Sequence, residues 1–291
     1  MRQVAACVPC YLRQVQSTLE VAGADEDSSY RVWQEVLPVI LALDRSRSPA
    51  ENSSVVLHRA YAVLGAEDPF RAARAKSNHE AWAWLSYLEK RRAQSRDRLL
   101  FALGVSVMGN MVDMGILPGY DLEANLRELQ ELVFARFDYP ELAERLARAE
   151  KILVVGDNSG EIVWDRLLLE ELGRGGRRVS YAVKAGPILN DATWSDAEEA
   201  RLEQVAEVID TGSNYLGVVE ERCSPAFLSA LAASDLVIAK GQANYETLEG
   251  TRLAGDKTFF LLRAKCPVVA AHLRVPRLAA VLVRNRPEAG S

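Results

Sequence analysis

The sequence predicts an α/β fold, in which an all-helical domain at residues 1–149 precedes a domain with a mainly parallel sheet at residues 150–291. Before residue 149, apolar residues recur at spacings of three and four, and no convincing strand is seen. After it, short apolar runs alternate with amphipathic helices. Runs such as ILVV and LVIA lack polar alternation, which is typical of strands covered on both faces. Helical crossovers join such strands into a doubly wound sheet.

The first domain is predicted to be a helical bundle or cap. Its main amphipathic stretches are YRVWQEVLPVILAL, AWAWLSYLEKRRAQ and RLLFALGVSVMGNMVDMG. Pro49 suits the first turn of a helix, where its missing N–H would have no partner in any case. The helices are separated by the turn sequences GADEDSS, RSRSPAEN, GAEDP and GILPGYD.

The second domain is predicted from five apolar runs, each followed by a polar or glycine-containing turn. Ser195 followed by Glu198 forms a predicted capping box, and Ser224 before Pro225 forms a predicted N-cap. These signals place helices between the strands. The five runs are KILVV, RVSYAV, AEVIDT, DLVIAK and KTFFLL.

The composition limits the classes of partner. With 291 residues, of which 49% are hydrophobic, the chain can bury a substantial core. Its net charge of −5 gives no bulk attraction to nucleic acid or to an anionic membrane. No apolar run reaches the roughly 20 residues that span a bilayer, and the first residues turn polar too soon for a signal peptide. We expect a cytoplasmic protein with neither partner, and the sequence leaves its oligomeric state open.

The four cysteines are too few to form a disulfide framework in a chain of this length. Cys7 and Cys10 form a CxxC pair, which suits zinc binding, redox chemistry or simply two cysteines on a helix face. The residues leave these alternatives open. The other two cysteines are Cys223 and Cys266.

The candidate functional residues lie in the turns that follow the predicted strands. In open parallel sheets, ligands bind beyond the carboxyl ends of the strands, which meet at one edge. The turns there carry acids, amides, hydroxyls and lysines. Their sequences are GDNSGE, KAGPILNDAT, DTGSN, KGQANYE and RAKC.

Two of these turns predict a metal site. Asp157 and Asn158 follow the first strand, and Asp191 lies in an equally tight loop after the second. Carboxylate and amide oxygens are hard ligands that suit Mg²⁺ or Mn²⁺. Taken alone, Asp157 or Asn158 fits the role of an N-cap for the following helix as well as it fits the role of a metal ligand.

Further residues predict an anion site next to the metal. Ser159 and Gly160 open a helix whose free N–H groups suit a phosphate. Lys240 ends an apolar strand, where a lysine needs an anion or a carboxylate to face, and Asn244 follows it in the same turn. Asp210 is favoured as a local turn cap rather than a ligand. From the same turn, Thr211, Gly212 and Ser213 are candidates to donate to a phosphate.

Taken together, these motifs resemble the metal-dependent damage-control phosphatases, long catalogued as domain of unknown function eighty-nine, in their bacterial and archaeal branch. The resemblance runs in order along nearly the whole chain. It includes CVPC with Gln14, DPF at 68–70, KSN at 76–78, GNMVDMG at 109–115, GDNSGEIVWDRLLLEEL, KAGPILNDAT, DTGSN, KGQANYETL and FFLLRAKCP.

The resemblance implies a Rossmann-like three-layer α/β/α domain preceded by a helical domain. It implies that Asp157, Asn158 and Asp191 bind the metal and that Lys240 contacts phosphate. It also implies that Asn110 reaches the cleft between the domains, although a helix-end cap is the alternative. Cys7, Cys10 and Cys266 are marks of the branch, with no role assigned.

We therefore predict a metal-dependent phosphomonoester hydrolase that acts on small sugar or cofactor phosphates in metabolite damage control, with Mg²⁺, Mn²⁺, Co²⁺ or Ni²⁺ as cofactor. Either a water molecule attacks the phosphorus in line or Asp157 forms a phosphoaspartate. A first alternative is a non-catalytic module that binds a metal and a phosphometabolite. A second is an S-adenosylmethionine-dependent methyltransferase, suggested by the glycine-containing first turn. A third is a scaffold in which the GDN turn only caps a helix.

Overall fold

The computed structural model describes residues 1–112 and 133–287, with the side chains of 109–112 outside the description. Its strands form one seven-stranded sheet in the order β1-β7-β6-β5-β2-β3-β4. All neighbouring strands are parallel except β6 and β7. The strands are β1 Phe134–Phe137, β2 Lys151–Val155, β3 Arg178–Val183, β4 Glu207–Asp210, β5 Leu236–Lys240, β6 Thr258–Arg263 and β7 Ala280–Arg284.

Helices precede the sheet and connect its strands. No helix in the described ranges combines the length and apolar character that a membrane span requires. The α-helices are Val8–Val21, Glu26–Leu41, Pro49–Leu64, Arg71–Gln94, Arg98–Val112, Tyr139–Arg148, Glu161–Leu172, Trp194–Glu199, Pro225–Ala233, Gly241–Leu248 and Pro267–Leu273.

The sheet is covered on both faces, as its apolar strands predict. Alternate residues of a strand point to opposite faces. In β2, Ile152 and Val154 therefore pack into one core, whereas Leu153 and Val155 pack into another. These two cores make a three-layer arrangement, and the predicted α/β fold with a mainly parallel sheet is confirmed.

The first core also contains helices from the first half of the chain. Ala81, Leu85 and Leu103 pack together with Ile152 and the helix Glu161–Leu172. A third core is formed by the helices of residues 8–64. The helical half thus shares a core with the sheet, and the division between residues 149 and 150 stays a prediction.

Three expectations about individual elements need correction. A strand, β1, lies before residue 149 and pairs with β7, so the expectation of no strand there is wrong. Strand β7, which lies between β1 and β6, was also missed. The capping box is formed by Thr193 and Asp196, not by Ser195 and Glu198. The Ser224 cap is confirmed, since its side chain accepts a hydrogen bond from the Phe227 N–H at 3.1 Å.

Candidate active site

The turn after β2 holds Asp157 and Asn158 close against the neighbouring strand. A Cβ at Gly156 would lie 2.6 Å from the Tyr181 ring, so only glycine allows this approach. Gly160 has a φ of +72° and lies over Ser77 of the helix Arg71–Gln94. The turn is therefore packed between strand β3 and the helix Arg71–Gln94.

Backbone contacts bring this turn to the loop that carries Asp191. Asn158 and Asp191 form an antiparallel bridge. The Ser159 N–H donates to Asn190 O at 2.9 Å, and the Ala192 N–H donates to Asp157 O at 2.8 Å. The three predicted metal ligands thus lie on two segments bonded to each other.

The side chains of this trio lie in a buried environment, with Asp157 8%, Asn158 6% and Asp191 4% exposed. Burial raises the pKa of Asp191 to about 7, and the nearby Asp157 carboxylate adds to the effect. The Lys184 ammonium, 3.6 Å from Asp191 Oδ2, opposes it. Two acids held close in a dry site repel each other unless a cation lies between them.

The donor chemistry fits a divalent metal. Two carboxylates and an amide are present, and Asn158 Nδ2 donates to Asp157 Oδ2 at 3.0 Å, which orients both side chains. Within the described ranges, no group of three or more His, Cys, Asp or Glu side chains is arranged for a metal; the predicted trio contains only two acids. Two buried atoms beside it, Ser159 Oγ and Asn244 Oδ1, have no hydrogen-bond partner among residues 1–108 and 133–287. Buried polar atoms are rarely left so unless a ligand or water completes them.

The N–H groups predicted to bind phosphate are already used inside the protein. The Ser159 N–H donates to Asn190 O at 2.9 Å, and the Gly160 N–H donates to Asn78 Oδ1 at 2.7 Å. An anion at this helix start would have to displace both bonds. The substrate-binding role of Ser159 and Gly160 stays a prediction.

The helical half of the chain anchors both loops of the site. Asn78, whose side-chain role the sequence did not indicate, also donates to Asp196 at 2.9 Å and to Glu199 at 2.7 Å. The Leu189 N–H donates to Tyr61 Oη at 2.9 Å. Ile188 is fully buried in the core of the N-terminal helices.

The turn after β4 is held by its own hydrogen bonds. Asp210 accepts from the Gly212 N–H at 2.7 Å, as expected of a turn cap, and from Trp194 Nε1 at 2.8 Å. Thr211 Oγ1 donates to Ser213 O at 3.0 Å, and Ser213 Oγ accepts from the Tyr215 N–H at 3.1 Å. Phosphate binding by Thr211 and Ser213 stays a prediction. The side chain of Asn110 lies outside the described part of the chain.

Lys240 faces carboxylates, one of the two partners that its place in an apolar strand predicts. Its Nζ donates to Glu161 Oε1, and to Asp165 Oδ1 and Oδ2 at 2.5 and 2.6 Å. Asp165 also accepts from Tyr181 Oη at 2.7 Å and from Ser106 Oγ at 2.7 Å. Burial disfavours the charged lysine, but Asp165 and Glu161 hold its pKa above the usual value. The phosphate contact of Lys240 stays a prediction.

The segment after β5, predicted as a turn, is the helix Gly241–Leu248, and its start also confines the Asp157 carboxylate. Asn244 Nδ2 donates to Gly156 O at 3.0 Å and to Lys240 O at 2.7 Å, joining this helix to the turn after β2. Gly241 has a φ of +79°, and a Cβ there would lie 2.0 Å from Asp157 Oδ2. This glycine leaves room for the carboxylate.

Replacing Gly241 by alanine is expected to weaken divalent-metal binding about 10- to 100-fold, because the new methyl group displaces Asp157 from its position. Titration calorimetry with Mn²⁺ measures this loss. Gly250→Ala is a matched control, since Gly250 has a φ of +74° but no atom within 4 Å of the added Cβ. Equal metal affinity in both variants would contradict the placement of Asp157 at the metal.

The cysteines are free thiols in this structure. Burial raises the pKa of both Cys7 and Cys10. Cys266 caps the helix Pro267–Leu273, its Sγ accepting from the Val268 N–H at 3.3 Å.

Comparisons with known proteins agree with this architecture. The family model described as the damage-control phosphatase ARMT1-like domain matches residues 3–281. A protein of Pyrococcus horikoshii named damage-control phosphatase is 35% identical over 286 residues, covering 96% of this chain and 97% of the relative. One of Archaeoglobus fulgidus with the same name is 30% identical over 273 residues, covering 92% and 94%. An uncharacterized protein of Methanocaldococcus jannaschii is 33% identical over 284 residues, covering 92% and 91%.

A solved structure is also similar over the whole chain. The crystal structure of a P. horikoshii protein of the family with domain of unknown function eighty-nine matches with a TM-score of 0.90 and 33% identity. The match covers 98% of this chain and 100% of that one. The resemblance read from the motifs is confirmed, and the chain belongs to the family of the damage-control phosphatase ARMT1-like domain.

Proposed function

We propose that this chain is a damage-control phosphatase that uses a divalent metal ion to hydrolyse phosphomonoesters of small metabolites, such as sugar or cofactor phosphates. The family, matched over residues 3–281, and the relatives named damage-control phosphatase support the phosphatase activity. The observation that carries the metal dependence is the bridge between Asn158 and Asp191, which brings acids from two loops to one place.

Asp157, Asn158 and Asp191 would hold the cation, which we propose to be Mg²⁺, Mn²⁺, Co²⁺ or Ni²⁺. Their oxygen donors suit these ions, and Mg²⁺ in particular keeps positions for substrate oxygens. When bound, such an ion supplies positive charge beside the phosphoryl oxygens and offsets the repulsion between the two buried acids.

The side chains around the trio would position the reactants. The Ser159 hydroxyl, which has no partner in the part of the chain that the structure describes, donates to a phosphoryl oxygen, and Asn244 Oδ1 accepts from a substrate hydroxyl or from the attacking water. Either water attacks the phosphorus in line, or Asp157 attacks first and water then hydrolyses the phosphoaspartate. Both routes release inorganic phosphate.

The helical domain at residues 1–149 would shape the pocket that selects the metabolite. The contacts of Tyr61 and Asn78 with the site loops support this role, because they couple the helical half to the loops that hold the ligands. We place the enzyme in the cytoplasm, as its composition predicts.

The test is release of phosphate from a panel of sugar and cofactor phosphates by chelator-treated protein, to which each metal is then returned. We expect no release after chelation and recovery with at least one of the four ions. Absence of release from every ester with every ion would reject the phosphatase proposal, and full activity in chelator would reject the metal dependence.

A further inference from the structure

Two buried lysines lie at the carboxyl ends of strands in the sheet. Lys240 ends β5, and Lys184 follows β3 directly. Lys240 is 0% and Lys184 3% exposed. A lysine ammonium group has three N–H donors, so the partners of each Nζ indicate what it has left for a substrate.

Lys240 has used its donors inside the protein. Its Nζ makes three contacts, all to the carboxylates of Glu161 and Asp165. Both acids are fully buried. If Lys240 turned to a substrate, they would be left as buried charges without a cation, which is strongly unfavourable.

Lys184 has donors to spare. Its Nζ donates one hydrogen bond, to Gly217 O at 2.5 Å. Its contact with a charged group is to Asp191 Oδ2, and the distance of 3.6 Å between Nζ and Oδ2 is too long for a hydrogen bond. Within the described part of the chain, these are the contacts of its ammonium group.

The backbone of Lys184 fixes this ammonium beside the predicted metal ligands. The Lys184 N–H donates to Ala192 O at 2.9 Å, and Lys184 pairs with Thr193 in a parallel bridge. Strand β3 therefore holds the lysine against the loop that carries Asp191. An anion bound at this loop would meet a cation with unused N–H groups.

We propose that Lys184 is the lysine that binds the phosphoryl group and that Lys240 is an internal counter-ion. The inference rests on the proposed phosphatase function. Lys184 donates to a phosphoryl oxygen while its bond to Gly217 O keeps the side chain in place. A lysine is suited to this contact because its ammonium is a compact point charge that interacts strongly with phosphate.

The experiment measures the binding of inorganic phosphate to metal-loaded protein by titration calorimetry, for the parent and for Lys184→Met. We expect the variant to bind phosphate about 10- to 100-fold more weakly, as for the loss of a hydrogen bond between charged groups. Binding of the metal alone should be as tight as in the parent or tighter, because a positive charge beside Asp191 is removed. A merely structural defect would weaken both.

Lys257→Met is the matched control. Lys257 also bonds to backbone carbonyls, Ala232 O at 2.7 Å and Ser234 O at 2.8 Å. It precedes β6, however, and so lies at the amino end of that strand, away from the site. We expect parental phosphate binding in this variant. If Lys184→Met does not fold, Lys184→Gln, which removes the charge but keeps an N–H donor, replaces it.

Parental phosphate affinity in the folded Lys184 variant, or no phosphate binding by the parent, would overturn the inference. Ester hydrolysis by the parent separates the two proposals. Turnover by the parent together with unchanged phosphate binding in the variant rejects the role of Lys184 alone. Lys184-dependent phosphate binding without turnover of any ester rejects the phosphatase function alone.

Discussion

Replacing Asp191 by asparagine is expected to abolish tight binding of the divalent metal and to lower metal-dependent phosphate release by about 100- to 1,000-fold or more. Asparagine has nearly the same shape but no charge, so it keeps the packing of the loop and removes one of the two acids. Calorimetry with Mn²⁺ and a phosphate-release assay with the best ester measure the two losses.

The same variant should keep its stability in chelator. Burial raises the pKa of Asp191 to about 7, so in the metal-free protein ionisation of this carboxyl above that pH opposes folding. Asparagine removes that penalty, and at pH 8 the variant should unfold at the parental temperature or above it. Lost activity with retained stability would separate a ligand from a structural residue.

Asp210→Asn is the control for this prediction. Asp210 also lies at the end of a strand, but it accepts from the Gly212 N–H and Trp194 Nε1, and the asparagine oxygen can still accept from either donor. We expect near-parental metal binding and turnover. If Asp191→Asn turned over substrate at the parental rate, its assignment as a metal ligand would be refuted.

Three of the five strands that the sequence predicted are buried on both faces, whereas β4 was predicted although none of its residues is fully buried. In β2, β5 and β6, nearly every side chain is buried, so their apolar runs are continuous and easy to recognise. Strand β1, FARF, has only four residues and three of them are exposed. Its pairing with β7 is set by tertiary contacts, which a short and mostly exposed run does not indicate.

The capping box shows how tertiary contacts decide between similar local signals. Both Thr193 with Asp196 and Ser195 with Glu198 place an acid three residues after a hydroxyl. Asp196 is also held by Arg74 at 3.1 Å and Asn78 at 2.9 Å, and both belong to a helix more than a hundred residues earlier in the chain. Nothing in the local sequence distinguishes the two boxes.

The location of the candidate site could be predicted, because its residues follow the carboxyl ends of neighbouring strands. The position of Asp157 and Asp191 after neighbouring strands indicated that their loops meet, and the bridge at Asn158 agrees. Asn78 was marked only as part of the KSN motif of the family resemblance, and its contacts with the site loops could not be predicted because it comes from a helix remote in sequence. The sequence did carry a signal for the partners of Lys240. Glu161 and Asp165 lie four residues apart, on one face of the helix after β2, and acids on a buried face require a cation.

Replacing Lys240 by methionine is expected to lower the free energy of unfolding by about 3–5 kcal/mol, measured by urea denaturation. Methionine fills much of the same space but leaves Glu161 and Asp165 fully buried without a cation. Tyr181 and Ser106 still donate to Asp165, yet they carry no charge to balance it. Lys257→Met, which removes a partly exposed lysine, should cost far less.

If buried charge causes the loss, neutralising the partners should reverse much of it. Adding Glu161→Gln and Asp165→Asn to Lys240→Met should therefore recover at least half of the lost stability, because apolar or neutral replacements of a whole buried ion pair are often well tolerated. A triple variant less stable than Lys240→Met would instead mean that the lost packing of the lysine chain dominates. Parental stability of Lys240→Met itself would show that the lysine is not needed as a counter-ion, and that its ammonium is available for the substrate after all.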